Sequence, residues 1–96
     1  MKILIQPEAD ADLDAIYEWI AKDNPRAAVE MIRRIRAKLD LLATTGFAEI
    51  GRPGRDAGTR ELVVAPYIIV YEFHTKKEMR SWEIVVLGIF HGATNR

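Results

Sequence analysis

No cysteine occurs in the chain, which excludes a disulfide framework and any thiolate metal site and suits a reducing compartment. Long apolar runs are missing too. The longest, Ile84–Phe90, is interrupted by Gly88 and falls far short of the ~20 residues a membrane-spanning helix needs. The first residues carry neither the charged start and apolar stretch nor the small-residue cleavage site of a secretory leader, so a soluble, cytoplasmic protein with no membrane association is expected. Zinc-ligand spacing, a phosphate-binding glycine fingerprint and a nucleophile elbow are all absent, and neither a cofactor nor a metal is expected. Net charge is absent as well, with 14 basic residues against 14 acidic ones. Proteins that rely on phosphate contacts usually carry an overall basic excess.

What is present is an ordinary globular balance of 49% apolar and 29% charged residues over 96 positions, enough for one domain spanning residues 1–96. A domain of this size buries only about 60–65% of its unfolded surface, so a partner could add much of its stability. The charge is unevenly spread. Residues 1–23 hold two lysines against six carboxylates, whereas residues 24–60 hold eight basic groups against four acidic ones.

Lys2–Gln6 is a short β-branched-rich run stopped by Pro7, which predicts a strand. Leu13, Ile16, Tyr17 and Ile20 follow the spacing of one helix face. Glu8, Asp10, Asp12 and Asp14 crowd the first turns, where carboxylates favour the positive end of the helix dipole. With no histidine nearby, dipole compensation outweighs a metal site for this cluster. Asn24 and Pro25 read as an N-cap and first residue of a second helix. Its seam is Ala28, Ile32, Ile35, Leu39 and Leu42, with Gly46 as the terminating residue. Arg33, Arg34, Arg36 and Lys38 lie off that seam. Phe47–Thr59 is a glycine-rich loop. Three strands follow, at Arg60–Val64, Pro66–Phe73 and Ser81–His91, with His74–Arg80 as a polar turn. In the last strand Trp82, Ile84, Val86 and Phe90 alternate with Glu83, Val85, Leu87 and Ile89. The expected fold is α+β: an N-terminal strand, a two-helix antiparallel hairpin, then a three-stranded antiparallel meander in one antiparallel sheet.

The stretch Gly51–Val64 (GRPGRDAGTRELVV), followed by Pro66–Tyr71 (PYIIVY), resembles the RelE/ParE toxin superfamily, in particular its ParE branch. Val86–Thr94 (VLGIFHGAT) is similar to the family's closing strand, and Ala11–Tyr17 (ADLDAIY) fits its first helix. The resemblance covers nearly the whole chain. It implies the toxin of a type II toxin–antitoxin pair, of the kind that stabilises plasmids, in a hetero-oligomer with a cognate antitoxin. That antitoxin would be a ribbon-helix-helix DNA-binding protein, and direct DNA binding by the toxin without it is not expected. ParE-like members inhibit DNA gyrase, whereas RelE-like members are metal-independent endonucleases that cut mRNA in the ribosome.

The resemblance points to Arg60 as a target-binding residue, set beside a glycine-rich loop that also carries Arg52 and Arg55. The alternative for Arg60 is a strand-end salt bridge to Glu61 or Glu83. His91 could act as a general acid or base on RNA together with Arg60. Asn95 and Arg96 are further candidates for target contact. The nuclease relatives often carry a basic residue where this chain has Gly88, and ParE-like relatives often have arginine there and near Thr94. Both departures leave open a non-toxic antitoxin-binding module. Tyr67, Tyr71, Trp19 and Trp82 read as core aromatics, and His74 as a solvated turn residue. Zero net charge and the thin acid–base set favour a gyrase-binding inhibitor over an enzyme.

Overall fold

A computed structural model describes residues 2–44, 50–76 and 81–92. Gly46, Phe47, Thr94, Asn95 and Arg96, and the side chain of Trp82, lie outside the described residues. β1 (Lys2–Ile5) ends just before Pro7, and that proline opens α1 (Pro7–Ala21), where its missing N–H costs nothing. α2 (Pro25–Ala43) starts as its sequence predicts, with Asn24 Oδ1 accepting the amide of Ala27 at 3.1 Å. The two helices form the expected hairpin. Ala9, Leu13 and Ile16 share a core with Ile35, Leu39 and Leu42, Ala28 is buried as well, and Ile20 and Ile32 are only partly buried. None of the helices among the described residues is long and apolar enough to cross a membrane.

The meander is antiparallel, as expected: β3 (Thr59–Val64), β4 (Tyr67–Lys76) and β5 (Ser81–His91) pair in sequence order. Four details depart from the sequence reading. β1 lies parallel to β5, with Lys2 opposite Glu83 and Ile5 opposite Val86, so the five-stranded sheet, ordered β1-β5-β4-β3-β2, is mixed rather than wholly antiparallel. The glycine-rich loop contains a two-residue strand, β2 (Arg52–Pro53), on the edge of β3. β4 runs on through Lys76, so His74 sits in a strand, within 3.1 Å of Glu72, instead of in a turn. Finally, a β-bulge at Leu87 breaks the regular alternation of β5, because Tyr71 pairs with Val86 but Val70 with Gly88.

The bulge matters for the core. An extra residue on one strand reverses which side chains face which way beyond it. Ile84 and Val86 point at the helices with Tyr71, and past the bulge it is Ile89, opposite Ile69, that joins them. Phe90, predicted to share a face with Val86, goes to the helix-free side. Tyr67 and Tyr71 are core aromatics as predicted, at 6% and 0% exposure. Trp19 is not: at 69% exposure it stands in solvent, and Tyr17 is also largely exposed.

Candidate functional site

The glycine-rich segment folds as a hairpin pinned at its base. Gly51 donates its amide to the hydroxyl of the buried Tyr71 at 3.3 Å, and Arg60 Nη2 donates to the Gly51 carbonyl. A Cβ at position 51 would sit 2.6 Å from the Glu61 carbonyl oxygen and 2.7 Å from Tyr71 Oη, so only glycine fits. Gly54 then donates to the Thr59 carbonyl at 2.8 Å, and both the amide and hydroxyl of Thr59 donate to the Asp56 carbonyl. Gly58, at φ 81°, takes the left-handed conformation that closes the turn.

The three arginines of this region do different things. Arg52 lies opposite Glu61 in the β2–β3 ladder, and its Nε and Nη2 both donate to Glu61 Oε1, at 3.3 and 3.2 Å. Glu61 is 5% exposed while the Arg52 side chain is 59% exposed, so a solvent-facing cation covers a buried carboxylate. Arg55 is exposed at the hairpin tip. With Asp56, Thr59, Glu61, Val70 and Phe90 it lines a hollow of about 220 Å³ on the helix-free face. Arg60 is half-buried on the other face, and its guanidinium turns back to Gly51. Glu61, one of the two carboxylates considered for Arg60, is paired with Arg52. Neither Glu61 nor Tyr71 stood out in the sequence as part of this arrangement; the Arg-Glu-Leu run was the available cue.

His91 occupies the opposite end of the sheet. It lies across from Tyr67 and meets that ring edge-on at 5.4 Å. Arg60 pairs with Tyr71, four residues further along β4, and β3 and β5 flank β4 on opposite sides. Strand geometry then separates the two Cα atoms by roughly 13 Å along the strands and about 10 Å across them, or about 16 Å in all. Arg60 also points away, toward β2. The fold therefore sets Arg60 and His91 at opposite ends of the sheet, each turned to a different neighbour. Among the described residues, no group of three or more His, Asp and Glu side chains could hold a metal ion.

Around His91 is a shallow groove of about 430 Å³ between α1 and the sheet, bounded by Ala15, Ile16, Trp19, Tyr67 and Ile89, with Asp12 at one end. Lys22 Nζ sits 5.5 Å from the Trp19 ring centroid at the helix's far end. On the helix-free side of β5, the space beside Gly88 is occupied. A Cβ there would meet the Phe90 ring at 2.7 and 2.8 Å and Asp12 Oδ2 at 3.3 Å. The position where both nuclease and ParE-like relatives were expected to carry a cation has the Phe90 ring against it.

Residues 3–96 match the family described as the ParE toxin of type II toxin–antitoxin systems, parDE. A Sinorhizobium fredii protein provisionally named toxin Y4kP is 41% identical over 81 residues, spanning 82% of this chain and 75% of its own length. Among solved structures, a chain of the chromosomal ParDE toxin–antitoxin system from P. aeruginosa superposes with a TM-score of 0.78 at 26% identity, over 95% of each chain. The YoeB/ParE toxin from Agrobacterium tumefaciens gives 0.60 at 20% identity, over 95% of this chain and 98% of its own. A chain of the RelBE2 toxin–antitoxin complex from Mycobacterium tuberculosis gives 0.51 at 20% identity, over 94% and 95%. These last two share the fold.

Proposed function

This chain belongs to the ParE toxin family of type II toxin–antitoxin systems, and from that membership we propose that it arrests growth by binding DNA gyrase through its β2–β3 hairpin. The observation that carries this reading is the division of labour among the arginines. Arg52 and Arg55 are solvent-facing on a pinned hairpin beside a shallow hollow, whereas Arg60 and His91 stand at opposite ends of the sheet. A binding protein needs a preset, exposed cationic surface. A nuclease needs its acid, base and phosphate-binding groups within reach of one bond. The geometry supports the first requirement better than the second. Arg60 supports the hairpin from within, His91 would add contacts from the far end of the sheet, and Asn95 and Arg96 are further candidates for target contact.

The partner that silences the toxin is a cognate antitoxin of the ribbon-helix-helix class. The groove beside Trp19 offers it an anchorage: an exposed indole next to an apolar trough, on a helix whose solvent side carries Glu8, Asp10, Asp14 and Glu18. A segment with apolar side chains and a basic flank would suit both. Toxin and complex would act in the cytoplasm.

The test is to add the purified protein to two assays in parallel. Gyrase should lose supercoiling activity or accumulate cleaved plasmid, while transcripts on translating ribosomes stay intact. Cleaved transcripts with unaffected gyrase would replace this reading with an mRNA endonuclease. No effect in either assay, and no growth arrest, would leave a non-toxic antitoxin-binding module.

A further inference from the structure

Arg60 and Tyr71 are partners across the β3–β4 ladder, and both bind the same small residue. Tyr71 Oη accepts the amide of Gly51, and Arg60 Nη2 donates to its carbonyl. We infer that Arg60 and Tyr71 are positioning residues, which fix Gly51 and thereby hold the hairpin in the one arrangement that presents Arg52 and Arg55 to the target. The inference rests on the hairpin being the target-binding surface.

A two-residue strand at a sheet edge is too short to hold itself in place. Something in the core must do so. Tyr71 is fully buried, so its hydroxyl is a fixed point at the sheet's edge rather than a mobile one. Its partner atom belongs to backbone, which makes the contact independent of side-chain rotamers. The missing Cβ at Gly51 lets that backbone approach both Tyr71 Oη and the Glu61 carbonyl.

From Gly51 the constraint passes along the chain. Arg52 is the next residue, and its guanidinium can reach Glu61 Oε1 with two nitrogens only while the Arg52–Glu61 register holds. Pro53 follows with a fixed φ and lies opposite Arg60. The Gly54–Thr59 bond then closes the turn that carries Arg55. Fixing one peptide at the base therefore sets the direction of both exposed cations. Such preorganisation strengthens binding by removing an ordering cost at the moment of contact.

Two measurements test this. Amide hydrogen exchange of residues 52–59 should quicken in Tyr71→Phe, which removes one oxygen, and in Arg60→Ala, with Arg60→Lys in between. Exchange in α2 should stay as in the parent. Unchanged hairpin exchange, or a rise spread over the whole protein, would overturn the inference whatever the target is. In the second measurement, growth arrest is titrated with inducer. Tyr71→Phe and Arg60→Ala should each lower potency roughly 3- to 10-fold, the size of one lost hydrogen bond. In a background of Arg52→Ala with Arg55→Ala, neither should lower it further. Continued loss from Arg60→Ala in that background would make Arg60 itself the target contact and refute positioning. A parent chain that arrests nothing would defeat the functional reading, and exchange would still decide the structural one.

Discussion

The carboxylate of Asp12, on α1, accepts the amide of Ile89, on β5, at 3.0 Å, across 77 positions of sequence. β1 stops at Ile5, opposite Val86, so beyond that point β5 has a free edge on its β1 side. The helix supplies the acceptor that a longer strand would have given. Asp12→Ala leaves a partly buried amide without that acceptor and should cost about 1–3 kcal/mol. Asp12→Asn keeps an oxygen in place and should cost less. Urea denaturation reads both, and an alanine variant as stable as the parent would remove this contact from the account of stability.

A side chain at Gly88 should be unfavourable while the Phe90 ring keeps its place. Gly88→Ala drives a methyl into the ring, and overpacking of this kind typically costs about 1–3 kcal/mol. Phe90→Leu should recover part of the loss, so the two changes together should be less damaging than their separate effects suggest. Additive losses in the thermal unfolding of the four proteins would contradict the contact. Gly88→Arg should cost at least as much stability as Gly88→Ala and confer no RNA cleavage.

Arg52 and Arg55, three residues apart, should differ in their effect on stability. Arg55→Ala removes an exposed charge and should stay within about 0.5 kcal/mol of the parent. Arg52→Ala strips the guanidinium from the buried Glu61 carboxylate and should cost about 1–2 kcal/mol, more than an exposed pair gives. Glu61→Gln in the same chain should recover part of it. Equal denaturation midpoints for the two alanine variants would mean that the Arg52–Glu61 pair contributes nothing.

Trp19→Ala should leave folding stability within about 0.5 kcal/mol of the parent, because the side chain stands 69% exposed. If the groove anchors the antitoxin, the same change should weaken that complex by about 2 kcal/mol or more, as loss of a hot-spot indole does. Calorimetric titration with an antitoxin chosen for its rescue of growth would show it. An unchanged Kd moves the anchorage elsewhere on the toxin.

The features legible in the sequence were the local ones. Asn24 and Pro25 mark a helix start through chemistry contained within four residues, and the Ala28–Leu42 seam follows from one period. Pairing partners are a different matter. β1 reads as a strand, but nothing in Lys2–Ile5 says that its neighbour is β5 or that the two run parallel. The Leu87 bulge had one cue, a lone glycine inside a strand, and without it the alternation carries Phe90 to the wrong face. Trp19 reads as a core aromatic from its residue type, whereas its place on α1 leaves it 69% exposed. Arg60 was found as a residue but not as a contact. One of its partners is a backbone carbonyl brought close by hairpin folding, and a sequence pattern records no such approach.

The parallel pairing of β1 with β5 also bears on how the molecule is made. Residues 2–5 find their sheet neighbours at residues 83–86, so β1 must wait until a strand about 80 positions later has been made. Long loop closure of this kind slows folding relative to local pairing. Throughout that interval the apolar faces of β1 and the helical hairpin lack their sheet. The sheet that covers the helical hairpin is therefore incomplete until β5 has been made and β1 has docked beside it.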